Sequence, residues 1–327
     1  MNRFTYERPS SLDAALQALA DPAATAIGGG TDLLVLIEEG LAAPTRVVDV
    51  RAYPGACDID LRADGSVRIG GGARIADLAA HPGLRAHFPL LAESCASVGT
   101  PALRNMGTIA GNLAQRQRCW YFRRGVACFK NGGAGCPAVE GEHQYHGIID
   151  EGPCRAVHPS DPAVALAALD ASIEIASRNG TVVRRSITPG ALYDGAAHDP
   201  HADNTLGPGE LITAVILPVG ASGGVQHWEK LMQRGAWDFA LVSCAATRRT
   251  DGSVRLVLGG VGLGPWRISP SVEEDIASGG LDPESIDALA ERALYDTAPL
   301  EKNEYKVSMA RALLRRAMQA LTTHTVI

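Results

Sequence analysis

Four cysteines, Cys119, Cys128, Cys136 and Cys154, fall within 36 residues of a glycine-rich, strongly basic stretch. Residues 114–136 hold Arg116, Arg118, Arg123, Arg124 and Lys130 and no carboxylate. Neither helical nor strand periodicity runs through them, so apolar packing is not what orders this segment. A cross-link must do so: two disulfides, a zinc ion or an iron–sulfur cluster.

Charge and spacing bear on the choice. A 4Fe-4S core with four thiolates carries a net charge of about minus two, which a belt of Arg and Lys offsets. Zinc with four thiolates carries the same charge, so spacing is the better guide. Structural zinc sites take ligands from short C-x2-4-C knuckles, whereas the gaps here are C-x8-C-x7-C-x17-C. His143 and His146 form an H-x-x-H pair able to add imidazole ligands, although on a loop such a pair is more commonly solvated or hydrogen-bonded. The residues favour the iron–sulfur cluster and leave zinc and disulfides as alternatives. Cys57, Cys95 and Cys244 stand singly, the last two in apolar runs that suit small buried hydrophobes. Three unpaired thiols point to folding under reducing conditions.

The start, MNRFTYERPSSLDAAL, lacks a secretory pattern, and no run of 18 apolar residues occurs, so no address is expected. With 327 residues, 46% hydrophobic and 20% charged, the chain has the composition of a soluble globular protein with room for two or three cores. A net charge of −6 argues against nucleic acid as the main partner, because the one dense basic face surrounds the cysteines.

The first 55 residues read as strand, helix, strand, helix, strand: FTYERP, SLDAALQALA capped by Ser10 or Ser11, ATAIGG, TDLLVLIEE and TRVVDV. A second unit has SVRIGGG as strand, ARIADLAAH and FPLLAESCASVG as helices, then a turn-rich RNMGTIAGNL. After the cysteines, DPAVALAALD has helical spacing. ASIEIAS and TVVRRS flank Asn179-Gly180, which predicts a type I′ hairpin. ELITAVILP reads as a strand. A domain boundary is expected at Gly220–Gly224, giving residues 1–220 and 225–327, the former divided near residue 55. Beyond it, FALVSCAATRRT and SVRLVLGGVG form a second hairpin about Asp251-Gly252. Two helical stretches, DPESIDALAERALYD and NEYKVSMARALLRRAMQAL, then pack on one face of that antiparallel sheet.

The turn Ala26-Ile27-Gly28-Gly29-Gly30-Thr31-Asp32 joins a strand to a helix, where backbone amides are placed to hold a pyrophosphate. It is not G-x-G-x-x-G, and a nicotinamide Rossmann site is poorly supported. A second small-residue loop, Arg104 to Leu113, precedes the cysteines, and the pair makes a dinucleotide more plausible than either loop alone. Thr108 or Asn112 taken singly reads as a turn residue bonding its own backbone.

AIGGGTDLL, RNMGTIAGNL, His158-Pro159-Ser160-Asp161, GELI near residue 210, Lys230 and LGGVGLGPWR occur in order along essentially the whole chain. Together they resemble the FAD-binding subunit of the xanthine dehydrogenase family of molybdenum hydroxylases. The four-cysteine insertion is similar to that of the medium subunits of periplasmic aldehyde oxidoreductase and 4-hydroxybenzoyl-CoA reductase, which carry an extra 4Fe-4S cluster. RCWYF, GCPAVEG and HPSD lie nearer the aldehyde oxidoreductase type.

The resemblance implies an α+β fold: a two-part PCMH-type FAD domain and a small C-terminal domain of antiparallel sheet plus helices. It implies that Ile27, Gly28, Gly29, Gly30, Thr31, Asp32, Leu33, Thr108, Gly111 and Asn112 hold the FAD pyrophosphate and its neighbours. Ser160 and Asp161 would serve the ribose or ribityl hydroxyls, and Ile212 and Lys230 would lie near the flavin or adenine. Cluster ligands fall on Cys119, Cys128, Cys136 and Cys154. The molybdenum cofactor and two 2Fe-2S clusters would reside on a large and a small partner subunit, in a heterotrimer or a dimer of heterotrimers. Electrons from substrate oxidation there would pass through FAD to an external acceptor; in the acyl-CoA reductase type the flow reverses. No acid–base constellation occurs in this chain, which suits a subunit whose chemistry belongs to its cofactor. Folding would be cytoplasmic, with export possible beside a partner carrying a twin-arginine signal. Two other classes compete: a zinc-stapled docking module and a self-sufficient flavin oxidase.

Overall fold

The computed structural model describes residues 3–279 and 282–322. Three sheets organise them. Strands β1 (Thr5–Glu7), β2 (Ala24–Ile27) and β3 (Arg46–Asp49) form a parallel sheet in the order β1-β3-β2. The helices Leu12–Leu19 and Leu33–Glu38 make its connections. Ser11 is the cap of the first, its hydroxyl accepting the Ala14 N–H at 3.2 Å. Leu16, Leu19 and Val48 of this unit pack with Tyr53, Ala176 and Leu211, which joins it to the next layer.

Strands β4 (Ile59–Leu61), β5 (Val67–Gly70), β6 (Ser172–Asn179), β7 (Thr181–Ile187) and β8 (Leu211–Leu217) form an antiparallel sheet ordered β4-β5-β8-β6-β7. Short helices cover it, Ile75, Leu78, Leu84, Leu90, Leu91 and Ile109 closing over Val67, Ile69, Ile173 and Val215. Strands β9 (Val225–Leu231), β10 (Val242–Arg248), β11 (Val254–Gly259) and β12 (Trp266–Arg267) form the last sheet, also antiparallel.

Alternation along β10 and β11 gives that sheet two buried faces. Cys244, Ala246, Leu256 and Leu258 point to a core with Leu313, Leu314 and Ala317 of the helix Tyr305–Thr322. Ala245 and Val257 point the other way, into the core that holds the helix Asp161–Ala168. The C-terminal helices do occupy one face, and the opposite face is closed by a helix from the preceding region. Thr247 Oγ1 donates to the Ala168 carbonyl across that contact at 3.2 Å.

Two local expectations differ. RNMGTIAGNL is not an open turn: the helices Pro101–Met106 and Ile109–Leu113 meet at Gly107-Thr108. Thr100 and Thr108 cap them, accepting from Leu103 N–H at 3.1 Å and Gly111 N–H at 3.2 Å. The β6–β7 hairpin forms without a type I′ turn. Gly180 alone turns left-handed, at φ +71°, and Asn179 does not follow it. The cysteine segment stays mostly irregular, with a turn of helix at Trp120–Arg123 and a 3-10 turn at Phe129–Asn131.

Candidate cofactor site

The two glycine loops are one structure. A Cβ on Gly29 would stand 1.8 Å from the Met106 carbonyl oxygen, and one on Gly28 would stand 2.4 Å from Thr108 Oγ1. A third glycine run, at the end of β5, joins them: Ala110 N–H donates to the Gly71 carbonyl and Ile109 N–H to the Ala73 carbonyl. Gly30 turns left-handed at φ +75°, aiming the chain into the helix Leu33–Glu38. Small residues here allow three backbones to pack closely beside an open cleft.

That cleft, of about 1000 Å³, is lined by Thr31, Asp32, Gly111, Asn112, Asp161 and Lys230 on one side and by Trp237, Asp238 and Phe239 on another. Thr108 spends its hydroxyl on the helix cap, and Asn112 Oδ1 accepts from Ser160 Oγ at 2.6 Å. Ser160 in turn caps its own helix through Ala163 N–H. Asp161 and Lys230 form an ion pair at 2.7 Å with side chains only 6% and 4% exposed, and Lys230 Nζ also donates to the Ser97 carbonyl at 3.1 Å. Burial pushes the Asp161 carboxyl up, against the pull of Lys230 and Ser97. Ile27 is buried beneath Gly30, and Leu33 starts the short helix. Ile212 is in the core, its carbonyl under Gly71, and does not line the cleft.

A second cleft of about 870 Å³ adjoins the first, sharing Arg118, Pro159, Asp161, Asp238 and Phe239 as walls. Three of its lining residues carry buried polar atoms with no hydrogen-bond partner, Arg118 Nε, His146 Nδ1 and Ser243 Oγ. Unpaired buried polar atoms beside an apolar hollow are what a ring system with its own polar edge would satisfy. The loop between β9 and β10 covers both clefts. Its Trp237 sits at φ +63°, held through its carbonyl by Arg234 Nη2, and Phe239 lies under the Arg118 guanidinium at 5.4 Å. This loop was missed in the sequence; its one signal was an aromatic pair in a short polar connection.

Behind the second cleft lies a third, small hollow, whose walls include all four of Cys119, Cys128, Cys136 and Cys154. Only Cys119 and Ala156 line both. None of the four thiols is in a disulfide. Among the described residues, no group of three or more His, Cys, Asp or Glu side chains is gathered to hold a single metal ion. Burial pushes the Cys119 thiol up to about 11, against the backbone N–H groups of Phe122 and Tyr121 that point at its sulfur. Cys154 is raised for the same reason and receives the Ala156 N–H, with Lys130 pulling it down.

Carboxylates remote in sequence neutralise the basic belt. Asp32 Oδ1 takes Arg118 at 2.7 Å and Arg123 at 2.9 Å, and its Oδ2 accepts the Arg116 N–H at 2.9 Å. Asp203 takes Arg116 and Lys130. The belt is therefore a pinning device as well as a field around the sulfurs. The two histidines separate in role. His143 is spent on backbone, Nδ1 facing the Ala138 carbonyl at 2.8 Å and Nε2 accepting Lys302 N–H at 2.9 Å. His146 places Nε2 at 3.2 Å from Cys119 Sγ, and burial with Lys306 and His143 nearby pushes its imidazole down to about 4.

Residues 2–220 match the family described as the FAD binding domain in molybdopterin dehydrogenase, and residues 228–321 match the CO dehydrogenase flavoprotein C-terminal domain. The chain belongs to the FAD-binding subunits of the molybdenum hydroxylases. This FAD-binding subunit is 38% identical to the aldehyde oxidoreductase FAD-binding subunit of Escherichia coli, over 96% of each chain. It is 25% identical to the carbon monoxide dehydrogenase medium chain of Hydrogenophaga pseudoflava, over 97% of this chain and 96% of that one. Its fold matches quinoline 2-oxidoreductase of Pseudomonas putida with a TM-score of 0.74 at 24% identity, over 99% of this chain and 98% of that one. The α+β architecture is thus that of an oxidoreductase FAD subunit.

Proposed function

We propose that this FAD-binding subunit is the electron-transfer component of a molybdenum hydroxylase complex and carries a 4Fe-4S cluster on Cys119, Cys128, Cys136 and Cys154. The observation that carries the reading is the shared wall at Cys119 and Ala156, which sets a four-thiol cavity directly behind a cofactor cleft. Four thiols line one hollow, Cys128 buried and the other three half-buried, with backbone N–H groups directed at Cys119 and Cys154, and their spacing lacks the short knuckles of a zinc site; this donor set suits a 4Fe-4S cluster.

FAD spans the two adjoining clefts. Gly28 to Leu33 with Thr108, Gly111 and Asn112 form the small-residue wall beside its pyrophosphate, Ser160 and Asp161 face its hydroxyls, and Lys230 holds Asp161 in place. Ile212 contributes from the core beneath. FAD accepts electron pairs and releases them singly or in pairs. The chain positions it, excludes water with the Trp237–Phe239 loop and screens the belt of charge around the sulfurs.

Substrate, an aldehyde or N-heterocycle, is oxidised on a large molybdenum-cofactor subunit. Electrons arrive through 2Fe-2S clusters of a small subunit and leave to an external acceptor. The full-length likeness to the E. coli aldehyde oxidoreductase subunit supports this arrangement. The reading includes the division into residues 1–220 and 225–327 and folding in the cytoplasm, with co-export beside a signal-bearing partner.

Anaerobic purification followed by iron, acid-labile sulfide, zinc and flavin quantitation tests it. About four iron, four sulfide and one FAD per chain are expected, with Cys128→Ser losing iron and keeping FAD. Zinc without sulfide would overturn the cluster, and absence of FAD would overturn the electron-transfer role.

A further inference from the structure

We propose that His146 is a positioning residue for electron transfer: its Nε2–H donates to the Cys119 sulfur and favours the reduced cluster on the side that faces the flavin cleft. The inference rests on the iron–sulfur reading above. Cys119 is the one thiol common to the cofactor cleft and the cysteine cavity, and His146 lines the cleft beside it. Nε2 lies 3.2 Å from Cys119 Sγ. A metal-bound thiolate has no proton and only accepts, so Nε2 must carry the imidazole hydrogen. No protein group competes for that assignment, because Nδ1 is buried and has no protein partner.

The ring cannot drift from this position. It lies edge-on to Trp120 at 5.5 Å and against Tyr121 at 6.2 Å. Its carbonyl is held by Lys306 Nζ at 2.8 Å and Asn303 Nδ2 at 3.2 Å, both from the region of the last helix. Among the described residues no other side chain hydrogen-bonds one of the four sulfurs; the remaining donors are backbone N–H groups. His146 is therefore the one such contact that a substitution can remove while leaving the backbone in place.

One-electron reduction adds negative charge to the cluster sulfurs and transfers no proton here. An N–H directed at a ligand sulfur stabilises that added charge, so its removal makes reduction harder. The test is a dye-mediated dithionite titration of the purified holoprotein, following the cluster by EPR and the flavin by absorbance. In His146→Phe the cluster midpoint should move to more negative potential while iron and sulfide content stay as in the wild type. His146→Gln, which restores an N–H, should recover part of the shift.

A loaded Phe variant with the wild-type cluster midpoint overturns the proposal alone, as does an equal shift in the Gln variant. An iron-free wild type overturns the iron–sulfur reading and the proposal with it. Should the Phe variant lose its iron, His146→Met, smaller and equally without a donor, takes its place with the same two outcomes. Loss of the cluster from Phe, Met and Gln variants alike makes His146 a structural prop and overturns the positioning role.

Discussion

Replacing Lys230 by Met should destabilise the apoprotein by about 3 kcal/mol or more, the range measured when one member of a buried ion pair is removed. The side chains of Lys230 and Asp161 are 4% and 6% exposed and meet at 2.7 Å, so solvent neither screens the pair nor compensates for its loss. Methionine fills most of the lysine stem's volume and leaves the Asp161 carboxylate with the Ser97 hydroxyl, at 3.5 Å, as its remaining partner. Asp161 has one way out, which is to take up a proton, and burial already favours that. In the variant its folded pKa rises further above the unfolded value of about 3.9. Between those two values the folded state holds a proton that the unfolded state has released, so stability falls as pH rises through that window. The destabilisation should be larger at pH 8 than at pH 5. Urea unfolding of wild type, Lys230→Met, Asp161→Asn and the double variant at both pH values measures it. The double variant should recover most of the loss, since no unpaired charge remains. A cost below about 1 kcal/mol, or one independent of pH, would refute the argument that this pair is desolvated.

Gly29→Ala should prevent FAD retention and lower the unfolding temperature, because its Cβ would lie 1.8 Å from a backbone oxygen that cannot move without shifting the Pro101–Met106 helix. Gly190→Ala, with open space around the new methyl, is the control and should change neither. Lys306 is fully buried and its ammonium pKa is pushed down to about 7 by desolvation. Above that value the folded state sheds a proton that the unfolded chain keeps until about pH 10.4, so stability should climb through this window. Lys306→Met, followed by thermal melts from pH 6 to 10, should flatten the climb; an unchanged slope would show that another group causes it.

How far each element was legible depends on how local its cause is. Ser11 capping Leu12–Leu19, the hairpin of β10 and β11 and the run of small residues after β2 are each written within a few positions, and each forms as read. The hairpin at Gly180 was legible as a hairpin but not as a turn type, since strand pairing over seven residue pairs sets the connection more firmly than the Asn-Gly preference does. The helices of RNMGTIAGNL are not legible because they are shorter than two turns and owe their existence to two threonine caps and to backbone hydrogen bonds with the segment just after β5.

The four cysteines stand apart from any periodic pattern, and singling them out needed only the chain. What they surround did not. Asp32 reaches Arg116, Arg118 and Arg123 across 84 to 91 residues, and Asp203 closes on Lys130 from the far side. Pairings of that span leave no local pattern, because Coulomb attraction selects partners by final distance and burial rather than by spacing along the chain. The same holds for the clefts, where Trp237 and Phe239 meet Thr31, Asp161 and Lys230 only after the last sheet has docked. Sequence by itself determined the family and most of the longer elements. Tertiary structure alone decided that Cys119 stands between two cavities with His146 against its sulfur, since a shared wall exists only once both of its sides have been built.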